Sequence, residues 1–188
     1  MNIFDKRKQD ILGKKDKSYI GGWDKKIILL CEKLNKSKNY YSTSSCSGRV
    51  VVILDSNKKT HGLFFKIHHD LISFNELKKD LNEIIKKHKN KDINFKQEPC
   101  GLHVACRELK DAQILVTKAR KIGWKKSGII SSDKRFIIEM FGTNKLEFPI
   151  IKKGKILVDD NFLKEVVKKS NENLKKSWKQ IEDLKKSI

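Results

Sequence analysis

Two short stretches carry residue types able to do chemistry. The first is Thr43-Ser44-Ser45-Cys46-Ser47-Gly48-Arg49, which runs into the apolar Val50-Val51-Val52-Ile53-Leu54. A short β-branched run of this kind reads as a buried strand. Hydroxyls, a glycine backbone and a guanidinium at the mouth of such a strand are suited to grip a carboxylate or a phosphate. The same residues also make an ordinary polar turn before a strand. Cys46 becomes a nucleophile only if its thiol pKa is depressed; a buried structural thiol is the commoner fate.

The second stretch is Leu102-His103-Val104-Ala105-Cys106-Arg107. Strand alternation sends Leu102, Val104 and Cys106 to the core and His103, Ala105 and Arg107 to the opposite face. There an imidazole can take a proton near neutral pH, and a guanidinium can hold an anion in a fixed plane. Small Ala105 leaves room between them for a ligand. The plainer alternative is a solvated strand face. His68 closes another apolar strand and is the second candidate base; it is followed by His69.

Other chemistries find less support. Cys100, His103 and Cys106 recur every third residue, but a spacing of three on a strand puts neighbours on opposite faces, so no metal site is expected. Neither Gly21-Gly22 nor Gly142-Thr143-Asn144 forms the GxGxxG fingerprint of a dinucleotide fold. No carboxylate is placed in sequence to orient a His–Ser pair for a hydrolase.

The elements that must hold these residues follow from periodicity. A short helix is expected over 2–12, and Asp16-Lys17-Ser18 with Gly21-Gly22 forms a polar approach. Trp23 opens a helix whose Ile27, Leu30, Cys31 and Leu34 share a face. Tyr40 and Tyr41 lead into the serine-rich loop. Ser56 to Lys59 turns into a strand over 63–69, the antiparallel partner of 50–54. Ser73 with Glu76 is a capping box opening a helix through Phe74, Leu77, Leu81 and Ile84. Short strands follow at 93–96 and 102–107, then a helix from Glu108 that ends at Gly123. Strands at 129–130, 136–141, 146–151 and 155–158 precede a long helix capped by Asp159 or Asp160. Its Phe162, Leu163, Val166, Val167, Leu174, Trp178, Ile181 and Leu184 form an apolar stripe on a lysine-rich cylinder. The expected class is α+β: a mixed, mainly antiparallel sheet packed with helices, non-Rossmann, in one domain over 1–188 with a lysine-rich C-terminal helix over 160–188.

The chain has 188 residues, 38% hydrophobic and 35% charged, and a formal net charge of +20. That charge points to a polyanion, with nucleic acid the commonest; lysine-rich thermophilic surfaces show a similar bias. No apolar run approaches the roughly 20 residues needed to span a bilayer, and the N-terminus has no apolar signal segment. A cytoplasmic protein without a membrane partner is expected. Cys31, Cys46, Cys100 and Cys106 lack CxxC spacing and read as free thiols.

Taken together in order, these residues resemble the tRNA wybutosine-synthesizing protein 3 family. The resemblance rests on Asp16-Lys17-Ser18, Trp23-Asp24, Tyr41 with Thr43 to Arg49, and His68 closing its strand. It continues through Glu98-Pro99, Leu102-His103-Val104, Cys106-Arg107, Leu109 to Gln113, Ser127-Gly128-Ile129 and Leu146 to Pro149. It implies an S-adenosylmethionine-dependent methyltransferase acting in the anticodon region of tRNA-Phe. The target is N4 of the tricyclic 4-demethylwyosine-type base at position 37, in wyosine-derivative biosynthesis. For such a reaction His103 or His68 is the candidate base, since imidazole titrates near working pH. Ser44, Ser45, Ser47 and Gly48 would line the cofactor or base pocket, Arg49 and Arg107 would hold the donor's carboxylate or a tRNA phosphate, and Ser127 is a further cofactor-binding candidate; Tyr40, Tyr41 or Trp23 would stack on the flipped base. A non-catalytic basic RNA-binding module is the competing reading. Neither reading sets an oligomeric state.

Overall fold

The computed structural model describes residues 2–14, 24–56 and 62–188. The expected approach through Asp16 to Trp23 and the turn at 57–59 lie outside the described residues. In chain order the elements are α1 (Ile3–Leu12), α2 (Ile28–Lys36), β1 (Tyr40–Cys46), β2 (Arg49–Leu54) and β3 (Phe64–His68). There follow α3 (Phe74–Lys87), β4 (Ile93–Glu98), β5 (Gly101–Cys106), α4 (Leu109–Lys121), β6 (Lys126–Ser131) and β7 (Phe136–Phe141). The last are β8 (Leu146–Lys152), β9 (Lys155–Ile156) and α5 (Asp160–Ser187). The α+β class, the antiparallel pairing and the long last helix are as the sequence patterns predict. The strands divide into two sheets, and every described pair is antiparallel.

The backbone weaves between two compact units. The first takes the chain up to Ser47, then Cys100–Thr143 and Ser177–Ile188; the second takes Gly48–Pro99 and Asn144–Lys176.

In the first unit the sheet order is β1-β5-β7-β6. Leu102, Val104 and Cys106 of β5 do face the core, where they meet Ile138 and Met140 of β7. Leu30, Cys31 and Leu34 of α2, and Ala112, Leu115 and Ala119 of α4, close over them together with Trp124, Ile181 and Leu184. Apolar residues at helical spacing make these helices stick to one sheet face, while α1 packs Phe4 on Tyr41 of the other. Gly123 ends α4 at φ +104°, where glycine is favoured.

In the second unit the order is β3-β2-β4-β8-β9. β2 pairs with β3 as expected, and with β4 on its other side. Phe95 stacks on Phe148 at 5.2 Å between ring centroids, and Phe162 of α5 meets Phe148 edge-on at 5.6 Å. The Ser73–Glu76 capping box forms at the start of α3. Asp159 is the residue that caps α5, accepting the Phe162 N–H at 2.8 Å. The predicted stripe of α5 is buried at Leu163, Val166, Val167, Leu174, Ile181 and Leu184; Phe162 is about half exposed.

Candidate functional site

β1 is the largest departure from the sequence reading. Tyr40–Cys46 is a strand, not a loop, and only Ser47 and Gly48 connect it to β2. Its hydroxyl-rich composition hides a ladder completed by β5, about sixty residues on. Along that ladder Tyr40 pairs with Cys106 and Ser42 with Val104. The register then slips at Thr43, so that Ser44 pairs with His103 and Ser45 with Leu102. The extra residue is a bulge, and its effect is to re-aim the strand. Without it Ser44 would point into the core like Ser42; with it Ser44 shares the outer face with His103.

On that face a row of side chains crosses the whole sheet. Ser44 of β1 lies opposite His103 of β5, His103 opposite Glu139 of β7, and Glu139 opposite Gly128 of β6. His103 Nε2 is 2.9 Å from Glu139 Oε1. Both side chains are roughly one-third exposed, so the pair is open to solvent on one side. A Cβ at Gly128 would meet nothing within 4 Å. The next row holds Cys46, Gly101 and Phe141. The Phe141 ring lies over Gly101 and stands edge-on to the imidazole, with centroids 6.0 Å apart. A Cβ at Gly101 would sit 2.2 Å from Phe141 Cε1. Gly101→Ala is therefore expected to push the ring off and destabilise the protein by about 1–3 kcal/mol. Thermal melting reads this directly; an unchanged midpoint would mean that the ring moves aside freely.

Nothing in the local spacing marks Glu139 or Phe141 as site residues. A lone carboxylate inside Phe136-Ile137-Ile138-Glu139-Met140-Phe141 was the available signal. Its partner becomes evident only once β5 and β7 are known to be neighbours.

The other predicted residues are placed as follows. Ser45 faces the opposite way, toward the Cys31 thiol on α2. Ser47 is buried; its N–H donates to Asp24 Oδ2 at 2.7 Å, and its hydroxyl has no hydrogen-bond partner among the described residues. Gly48 has φ +98°, and Arg49 pairs with Glu98 across the ladder at 2.6 Å; both belong to the second unit. Ser127 is buried, with its hydroxyl donating to the Trp124 carbonyl at 2.6 Å and its own carbonyl accepting from Arg120.

Arg107 does not share an open groove with His103. Its guanidinium pairs with Asp5 of α1 at 2.5 Å, donates to the Lys38 carbonyl and covers the Phe4 ring. Phe4 in turn packs on Tyr41, the cross-strand neighbour of Ala105. The room expected above Ala105 is filled by this cluster. Tyr40 and Tyr41 are likewise too buried to stack on a base; the Tyr40 hydroxyl donates to the Asp111 carbonyl. Trp23 lies outside the described residues.

The Asp5 carboxyl is held below the usual carboxylate range by its hydrogen bond to Arg107. A folded-state pKa lowered in this way stabilises α1 docking above the ordinary value of 3.8, and the contribution is lost as pH falls through the depressed value. NMR shifts of α1 amides are expected to report undocking in that acid range, and Asp5→Asn to remove the response. Identical acid profiles for the two proteins would contradict this.

In the second unit His68 Nε2 lies 2.7 Å from Asp80 Oδ2 on α3, and the other Asp80 oxygen accepts from Lys66 at 2.7 Å. Lys66 also reaches Glu83, and these two hydrogen bonds raise its pKa. His68 is thus one arm of a hydrogen-bonded cluster joining β3 to α3.

Cys31, Cys100 and Cys106 are buried and are not poised as nucleophiles. Burial pushes Cys31 up to about 11, and Cys100 and Cys106 to about 12, so all three are neutral packing groups at ordinary pH. Among the described residues no helix is long and apolar enough to cross a membrane.

Comparison with known proteins agrees with this architecture along nearly the whole chain. A protein of Methanocaldococcus jannaschii named tRNA(Phe) 7-((3-amino-3-carboxypropyl)-4-demethylwyosine(37)-N(4))-methyltransferase is 36% identical over 174 residues, covering 87% of this chain and 88% of that protein. The human tRNA wybutosine-synthesizing protein 3 homolog is 32% identical over 186 residues, covering 95% of this chain and 70% of the relative. The solved structure of the PH1069 protein from Pyrococcus horikoshii superposes with a TM-score of 0.85 at 29% identity, covering 98% of this chain and 93% of that one. The family model described as Methyltransferase TYW3 matches residues 6–188. With a family model spanning both woven units and relatives above 30% identity along the length, the chain belongs to the Methyltransferase TYW3 family.

Proposed function

We propose that the protein transfers a methyl group from S-adenosylmethionine to N4 of a 4-demethylwyosine-type base at position 37 of tRNA-Phe. The observation that carries this is the near-full-length relationship to the Methanocaldococcus jannaschii methyltransferase, whose name specifies that atom. The net charge of +20 supports a polyanionic substrate. A cytoplasmic location is consistent with such a substrate.

The donor supplies an electrophilic methyl on a sulfonium. Its ammonium, carboxylate and ribose call for polar partners. Ser44 is exposed beside His103, and the buried Ser47 hydroxyl lacks a partner among the described residues, so both fit that need. In this reading Ser44 and Ser47 hold the cofactor's polar end, and the φ of Gly48 lets the backbone turn out of β1. Arg49 and Arg107 fit less well, because each already meets a carboxylate. Ser45 and Ser127 support the site from behind. His103 rather than His68 takes the proton that leaves N4, since its side chain is about one-third exposed on the outer face of its sheet, beside Ser44. Phe141 and the open strip at Gly128 give a flat base a surface to lie on.

The test is transfer of labelled methyl to tRNA-Phe carrying the tricyclic base. One methyl per tRNA is expected, located at N4 by mass spectrometry of the digested nucleoside, and none on tRNA with unmodified guanosine. Tight tRNA binding without methyl transfer by folded protein would overturn the proposal and leave a non-catalytic RNA-binding module.

A further inference from the structure

We propose that Glu139 is a positioning residue that selects the ring tautomer of His103, so that Nδ1 is the atom that accepts the proton. This rests on His103 being the base. The starting point is the 2.9 Å contact between His103 Nε2 and Glu139 Oε1. An ionised carboxylate only accepts hydrogen bonds, so the hydrogen in that contact belongs to the imidazole. A neutral imidazole has one N–H. With that hydrogen on Nε2 and turned toward β7, the basic lone pair is left on Nδ1.

The placement of Glu139 supports more than an incidental surface pair. It is the direct cross-strand neighbour of His103, on a strand whose alternate residues Ile138 and Met140 are fully buried. Its backbone is therefore anchored by the core, and only its side chain is free to choose a partner. The ring is also steadied by the edge of Phe141, itself fixed over Gly101. Two contacts from one strand, a hydrogen bond and a ring edge, thus define both the tautomer and the plane of the imidazole. No other carboxylate is paired with His103 among the described residues. An orienting carboxylate of this kind acts through the imidazole and touches neither substrate nor donor.

Glu139→Gln separates orientation from charge pairing. A carboxamide offers both a donor and an acceptor, so it no longer enforces hydrogen on Nε2. The measurement is the nitrogen-15 spectrum of the ring in the full chain, without tRNA or donor, at a pH where the imidazole is neutral. Wild type is expected to show hydrogen on Nε2 alone, and Glu139→Gln a mixture of tautomers. Turnover of the variant is expected to fall about 10- to 100-fold in kcat with KM for tRNA unchanged, a loss typical of groups that orient a working ligand. Glu139→Asp, which keeps the acceptor-only carboxylate, is expected to recover part of kcat. Hydrogen on Nδ1 in wild type would overturn the proposal, as would wild-type kcat in Glu139→Gln. The ring spectrum needs no activity, so it still decides the tautomer if methyl transfer to tRNA is not found. Because Glu139 is on the outer face, a melting curve close to wild type is expected to accompany these changes.

Discussion

Methyl transfer by His103→Ala is expected to be about 10²- to 10⁴-fold slower than by wild type, the usual contribution of a positioned general base. The reason is local. In the proposed reaction N4 must shed its proton for the product to be neutral, and His103, on the outer face of the β1-β5-β7-β6 sheet, is the side chain proposed to receive it. Alanine leaves Ser44 and Glu139 in place, but a serine hydroxyl is too weak a base to replace an imidazole, and the Glu139 carboxylate lies turned to the ring position, 2.9 Å from Nε2 in wild type. Binding should change little, because His103 is not among the polar groups assigned to the donor. Single-turnover rates with saturating tRNA and donor measure the chemical step, and calorimetry of donor binding gives the control. The fold should also persist, since the ring lies outside the buried cluster. An unchanged single-turnover rate would remove His103 from the mechanism. In that case His68→Ala becomes the next variant, although the Asp80 and Lys66 contacts suit His68 better to joining β3 with α3.

The second large effect is on stability. Trp124→Ala is expected to cost about 3–5 kcal/mol, the range for removing a fully buried aromatic side chain. Trp124 has no exposed surface and is among the largest fully buried side chains in the protein. It stands where the chain leaves α4, with its N–H bound to the Ala119 carbonyl. Its indole Nε1–H donates to the Gln180 carbonyl on α5 at 3.2 Å. Alanine therefore leaves a cavity and an unpaired carbonyl together. For a chain of this size each kcal/mol moves the midpoint by roughly 2–4 °C, so a drop of roughly 6–20 °C is expected in calorimetry. Trp124→Phe fills most of the space but loses the indole donor, and should fall between the two. A shift of under about 2 °C for the alanine variant would show that the core collapses around the gap. The site should feel this change indirectly, because Ile138 and Met140, which anchor Glu139 from behind, belong to the same core.

Features that depend on local periodicity are legible in the sequence. Leu102, Val104 and Cys106 point inward because a strand alternates, and the same alternation assigned His103 to the outer face before any partner was known. Ser73 with Glu76, Asp159 and Gly123 mark helix ends through bonds and angles made within a few residues. The stripe on α5 follows from the helical repeat. The specific motifs around Ser44–Arg49 and Leu102–Arg107 were enough to point to the family.

Which outward-facing residues meet depends on how distant strands pair. Ser44 reaches the His103 face through a bulge at Thr43, and a run of hydroxyl residues gave no local sign of a strand or of its register. Arg107 found Asp5, 102 residues away in sequence, and with it a role in docking α1 rather than in holding an anion. Glu139 became the partner of His103 because β5 and β7 are adjacent in the sheet. The chain alternates between two sheets, so neighbours in space come from distant segments. The physical reason is the range of each interaction. Side-chain direction is set by the backbone period within a few residues. Cross-strand contact is set by hydrogen-bonded pairing between segments tens of residues apart, whose register answers to the burial of the whole core.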